Sequence, residues 1–142
     1  MYRSILVAVE NSPADRTILT HVRELASLTG AELLLVHVAD GWAARTYEQL
    51  KLKESEEMSE DRRYLDTTAE QLRAQGLSVS THLALGDPPR EIVKVATAEK
   101  CDLIAMTTHG HRLIKDLLLG STIDPVRHRA SVPVLLVRAP RR

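Results

Sequence analysis

Two nearly unbroken apolar runs, SILVAV at residues 4–9 and AELLLVHV at 31–38, set the tightest limit on what this chain can fold into. A strand with one wet face alternates apolar and polar side chains, whereas a strand covered on both faces does not have to. These runs do not alternate, so each reads as a strand held between two layers. Between them Ile18, Val22, Leu25, Ala26 and Thr29 recur at three- and four-residue steps, the period of a helix with one inward face. Gly30 supplies the stop. Buried strand, helix, buried strand is the unit from which parallel sheets are built.

The alternation continues to the end of the chain. Met58, Leu65, Ala69 and Leu72 keep helical spacing through a highly charged stretch, predicting a helix over 46–75, weakest ahead of Met58 and stopped by Gly76. The charges read as its solvated face. Residues 77–85 alternate more clearly, as expected nearer a sheet edge. Asp87 is suited to cap the next helix, with Pro88 and Pro89 in its first turn and Ile92, Val95 and Ala96 facing inward. A fourth strand over 101–107, a helix over 122–130 and a fifth strand over 132–137 complete the series. Without a repeat or linker, residues 1–142 read as one three-layer α/β domain around a parallel sheet, with right-handed crossovers.

Composition narrows the class of function. With 19 basic and 19 acidic residues the formal charge is zero, so no global field draws the chain to nucleic acid. No Phe and one Trp leave an aliphatic core. One cysteine, Cys101, precludes an intramolecular disulfide and suits a reducing compartment. No apolar run approaches the roughly 20 residues that cross a bilayer. The expectation is a cytoplasmic protein without membrane insertion.

In open parallel sheets, ligands sit beyond the carboxyl ends of the strands where strand order reverses. The segment MTTHGHRLIKDLLLGSTIDP, residues 106–125, falls on that side, with Gly110 just past the fourth strand and Gly120 ahead of the last helix. Glycine permits a tight turn or close backbone approach, and Ser121 and Thr122 would bring hydroxyls and free N–H groups to a helix N-terminus, which favours phosphate. A plain turn and cap fits as well, because Ser121 and Asp124 have capping-box spacing. Glu10 and Asn11 follow the first strand, where each could accept from an adenine amine or ribose hydroxyl, or simply form a turn. Arg112 and Lys115 could neutralise phosphates or face solvent. His109 and His111 read as a loop pair, with His37 ending the second strand, but the ligand spacing of a zinc site is absent. No nucleophile elbow or paired carboxylates suggest catalysis.

Three blocks, ILVAVENSP, GDPPREIVKVATAEKCDLIAMTTHG and LLLGSTIDPVRHRASVPVLLV, together resemble the universal stress protein family of the UspA type over nearly the whole chain. The resemblance implies a Rossmann-like fold of the adenine nucleotide alpha hydrolase kind, with a five-stranded parallel sheet in the order 3-2-1-4-5. The ATP-binding branch carries a glycine, two residues, a second glycine, nine residues, then a third glycine followed by Ser or Thr. Here Gly110, Gly120 and Ser121 match with nine residues between the glycines, but Thr107 stands at the first position. Glu10 replaces the usual aspartate. Carried over, Ala8, Val9 and Glu10 line the base and ribose with Val38 near the adenine, and Thr107, His109 and Gly110 form a wall. Gly120, Ser121, Thr122 and Ile123 receive the phosphates of ATP, ADP or AMP, with Mg2+ accompanying them. Pro125 is a further departure, harmless in a first helical turn and costly deeper. The resemblance also implies a homodimer through 132–137 and a stress sensor or regulator acting on an unidentified protein partner, with slow ATP hydrolysis at most. A nucleotide-independent dimeric adaptor is the competing expectation.

Overall fold

The computed structural model describes residues 1–39, 51–109 and 117–140. In chain order the elements are β1 (Ser4–Ala8), α1 (Asp15–Thr29), β2 (Glu32–Ala39), α2 (Lys51–Arg73), β3 (Val79–Leu85), α3 (Pro88–Ala98), β4 (Leu103–His109), α4 (Leu117–Arg129) and β5 (Val134–Ala139). The strands form one parallel sheet in the order β3-β2-β1-β4-β5. No helix among the described residues is long and apolar enough to cross a membrane.

The two apolar runs lie where their composition demands. Ile5, Leu6, Val7, Leu33, Leu34, Leu35 and Val36 are all buried, because alternate residues of each strand feed different layers. One layer joins Ile5, Val7, Leu33 and Leu35 to Ile18, Val22 and Ala26 of α1 and to Leu65, Ala69 and Leu72 of α2. The other joins Leu6, Leu34, Val36, Ile104 and Met106 to Ile92, Val95 and Ala96 of α3 and to Ile123 and Val126 of α4. At ~25 cal/mol per Å² of apolar surface, each fully buried Leu or Ile contributes roughly 1.5–3 kcal/mol before entropy is set against it.

Gly30 ends α1 as predicted, in the left-handed region at φ 77°, with its N–H donating to Ala26 O at 2.8 Å. α2 runs unbroken from Lys51 through Met58, so no interruption falls there; the expected turn at 46–50 lies outside the described residues. Asp87 holds the N-cap of α3 with both prolines in the first turn, but its side chain makes no capping hydrogen bond.

β4 begins two residues later than expected. Cys101 N–H closes α3 on Ala96 O, and Asp102 donates to Ser4 O while its carboxylate takes the N–H groups of Arg3 and Ser4. Those two residues therefore form a turn that pins the start of β1. β4 then extends to His109, which ends a strand instead of sitting in a loop.

The larger correction concerns α4. It starts at Leu117, so Gly120 lies in its first turn and Ser121 and Thr122 lie inside it. Three consecutive leucines are strong helix formers and continue the helix backward past the Gly-Ser pair that resembles a cap. Pro125 consequently sits in the helix interior. It has no N–H to offer the Ser121 carbonyl one turn back.

Candidate functional site

The sheet opens where its order reverses. β1 pairs with β4 only as far as Val7↔Ala105, while β4 continues to His109 paired with β5 up to His109↔Ala139. Past Ala8 the chain stays with β2 instead, Val9 N–H donating to Val36 O at 2.9 Å. β1 and β4 thus part at their carboxyl ends, at the topological switch point where open parallel sheets carry their ligand crevice.

Of the residues expected beside the base, Ala8 and Val38 come together, and Ile123, expected at the phosphates, joins them. Ala8 and Ile123 are buried in one apolar layer, and Val38 packs against it, so β1, β2 and α4 share an aliphatic layer at this end of the sheet. Val9 is buried on the opposite face of the sheet. Glu10 is half-buried at the end of β1.

A polar network that the sequence reading missed fixes this end of β1. Asp15, the first residue of α1, is 1% exposed and accepts the N–H groups of Glu10 at 3.0 Å, Asn11 at 2.9 Å and, more weakly, Ser12 at 3.4 Å. Tyr64 of α2 donates its hydroxyl to the same carboxylate at 2.6 Å. Burial, then the hydrogen bond to Asp15, pushes the Tyr64 pKa up and keeps the phenol a donor. Asn11 occupies the left-handed region at φ 61°, a conformation asparagine tolerates better than most residues. The bend after β1 is thus held by one carboxylate.

His37 and Asp61 extend the network. His37 Nδ1 lies 3.0 Å from Val9 O and Nε2 lies 3.3 Å from Asp61 Oδ2, and Asn11 Nδ2 donates to Asp61 Oδ1 at 3.1 Å. Burial opposes ionisation of both partners and is outweighed by their mutual hydrogen bond, assisted by Val9 for His37 and by Asn11 for Asp61. His37 is consequently raised above 6.5 and Asp61 lowered below 3.8. A conspicuous polar string, Glu10-Asn11-Ser12 followed by Asp15 after a buried strand, was the available signal. Its partners on α2 could not be read from spacing.

The β4 wall is built differently. Thr107, where the resembled motif has glycine, is fully buried, and its hydroxyl has no hydrogen-bond partner among the described residues. Thr122 and Ile123 are 1% and 9% exposed, facing the interior and not an open phosphate site. The N–H groups of Ser121, Thr122 and Ile123 lie within the helical ladder and are not free at a terminus. Gly110, His111, Arg112 and Lys115 lie outside the described residues, as do the side chains of His109 and Ser121. Two concavities elsewhere, about 440 Å³ beside Arg23 and Gln75 and about 210 Å³ beside Cys101 and Val132, lie toward the amino ends of the strands. They have no part in the crevice.

Comparison with known proteins places these features. The model of the universal stress protein family matches residues 1–138. A universal stress protein of Methanocaldococcus jannaschii, MJ0577, is 28% identical over 97% of this chain and 96% of its own length. One from Thermus aquaticus is 32% identical over 97% of this chain and all of its own. The solved MJ0577 structure superposes with a TM-score of 0.82 at 29% identity, covering 100% of this chain and 99% of that one. The universal stress protein from Archaeoglobus fulgidus in complex with dAMP superposes at 0.68 with 26% identity, covering 96% and 98%.

Proposed function

The chain belongs to the universal stress protein family, and from that footing we propose that it binds an adenine nucleotide, ATP foremost, in the crevice between β1 and β4 and acts in stress regulation rather than as a fast enzyme. The observation that carries this reading is the parting of β1 and β4 at the switch point, with Ala8, Val38 and Ile123 in the layer on one face of the sheet there and, on β4, the buried Thr107 hydroxyl without a partner among the described residues. An apolar shelf suits a purine, and an orphaned hydroxyl suits a ligand rich in oxygen acceptors. The A. fulgidus relative's complex with dAMP supports the same ligand class.

Ala8, Val9, Glu10 and Val38 would hold the adenosine. Thr107, His109 and Gly110 would form the β4 wall, with the phosphates and any Mg2+ toward Gly120 in the first turn of α4. A bound nucleotide supplies phosphate charge to the amino-terminal end of that helix, which favours anions. For Ser121, Thr122 and Ile123 to contribute backbone N–H groups, this turn has to unwind as the ligand enters. No described group is placed as a general base for hydrolysis, and turnover is expected to be slow.

Gently purified protein should carry ATP, ADP or AMP, and the stripped protein should release heat on titration with ATP. Neither nucleotide nor heat would end the reading. The interior position of Pro125 and the buried Thr122 favour the alternative, an adaptor whose phosphate turn has closed into a helix. We also propose a homodimer through the β5 edge strand, a reading supported by Leu136 being 40% exposed there. Leu136→Lys should then yield monomers by light scattering, and an unchanged mass would exclude that edge.

A further inference from the structure

His37 sits between two hydrogen-bond acceptors. The Val9 carbonyl offers no hydrogen, and neither does the Asp61 carboxylate, whose other oxygen already takes the Asn11 amide. Both contacts of the ring can be hydrogen bonds only if both ring nitrogens carry protons. A neutral ring keeps one contact and turns a lone pair toward an oxygen at the other.

The contact at Val9 lies at the carboxyl end of β1, one residue past Ala8, which the nucleotide reading sets beside the adenosine. Val9 N–H is held by Val36 O, and the following N–H groups of Glu10, Asn11 and Ser12 are held by Asp15. The Val9 carbonyl is the point of this segment tied to a group that titrates near neutrality. Among the described residues, Asp61 of α2 contacts the ring and Asp15 of α1 acts on it by charge, while Asn11 bonds that Asp61 and Tyr64 bonds that Asp15. The register partner of His37 on β3 is the uncharged Leu83. The balance around the ring is acidic, and the ring is 15% exposed.

Building on the nucleotide-binding reading, we propose that His37 is a positioning residue for the adenosine half of the site. As an imidazolium it ties Val9 to Asp61 of α2; loss of its proton breaks that tie, loosens the segment from Val9 to Asn11 against α2 and weakens adenine-nucleotide binding. Acidification toward neutrality and below therefore tightens the site, and alkalinisation loosens it.

The test pairs imidazole 15N NMR of the ligand-free full chain with calorimetric ATP affinity, both followed from about pH 6 to about pH 8.5. The proposal expects both His37 nitrogens protonated at the acid end, with the amides of Val9, Glu10 and Asn11 shifting in step as the ring titrates. ATP affinity should fall about tenfold across the same transition, the scale of one charge-assisted hydrogen bond. In Asp61→Asn the ring transition and the affinity transition should move together to lower pH. Titration of the nucleotide's own phosphates is common to both proteins and cancels in their ratio. A singly protonated ring throughout in the parent overturns the proposal, and that reading needs no variant to fold. Superimposable affinity profiles for parent and Asp61→Asn overturn it too, while leaving nucleotide binding intact. Absence of ATP binding at every pH overturns the nucleotide reading instead.

Discussion

The two walls of the crevice are held by different physics. On the β1 and β2 side, Asp15, Tyr64, His37, Asp61 and Asn11 satisfy one another and lock a left-handed bend at Asn11. On the β4 and α4 side, Thr107 buries a hydroxyl without a partner among the described residues and Pro125 removes a donor from inside a helix. The first wall is complete before any ligand arrives. The second carries, among the described residues, a buried hydroxyl that a ligand could satisfy.

The contrast breaks most visibly at Asp15. Asp15→Ala strands three backbone donors and the Tyr64 hydroxyl, and should cost roughly 4 kcal/mol in urea unfolding, several partly buried groups at about 1–3 kcal/mol each. A cost below about 1 kcal/mol would mean that the bend holds itself. Next in size, Pro125→Ala should raise stability by about 2–3 kcal/mol, because the residue lies in a helix interior. No change would place the helix start near Thr122 after all.

Thr107→Val removes the orphaned hydroxyl at nearly constant shape. It should stabilise the free protein by about 1–2 kcal/mol and weaken ATP binding about tenfold. Stability and affinity moving in the same direction would disconnect that hydroxyl from the ligand. Gly120→Ala should likewise part the two readouts, adding about 1 kcal/mol of helix propensity while lowering ATP affinity. Equal affinity of variant and parent would remove the phosphates from Gly120.

The smallest effect is a pH dependence. His37 has a pKa raised on folding, so its contribution is complete below 6.5 and is lost as pH rises through the higher folded value. Asp61 has the opposite sense, its contribution present above 3.8 and lost as pH falls through the lower folded value. Parent protein should therefore lose stability on the alkaline side of 6.5 relative to His37→Gln, measured by urea unfolding. Parallel pH profiles would show that the ring is not charged in the fold.

The same division governed what the sequence could disclose. Strands with both faces covered, the inward faces of α1 and α3 and the stop at Gly30 were legible because each depends on neighbours within a turn or two of chain. The strand order came from family resemblance, since periodicity does not encode which strands are adjacent. Ala8 and Val38, expected beside the base, share a layer with Ile123, which family resemblance had assigned to the phosphates. The network at Asp15 was not legible, because Tyr64 lies on another element and no local period links the two. The start of α4 was misplaced because Gly120-Ser121 has the chemistry of a cap, while the preceding leucines carry the helix past it. Local signals conflicted there, and conflicts of that kind gather at functional sites.

Occupation of the crevice between β1 and β4 by an adenine nucleotide can be observed directly. A 1H–15N correlation spectrum of the nucleotide-stripped full chain, recorded as ATP is added to about millimolar concentration, tests both the binding and its place. Saturable shifts gathered at Ala8 to Asn11, Val38, Thr107 and the first turn of α4 are the predicted result. A spectrum unmoved by ATP, or shifts gathered at the amino ends of the strands around Cys101 and Arg23, would contradict it.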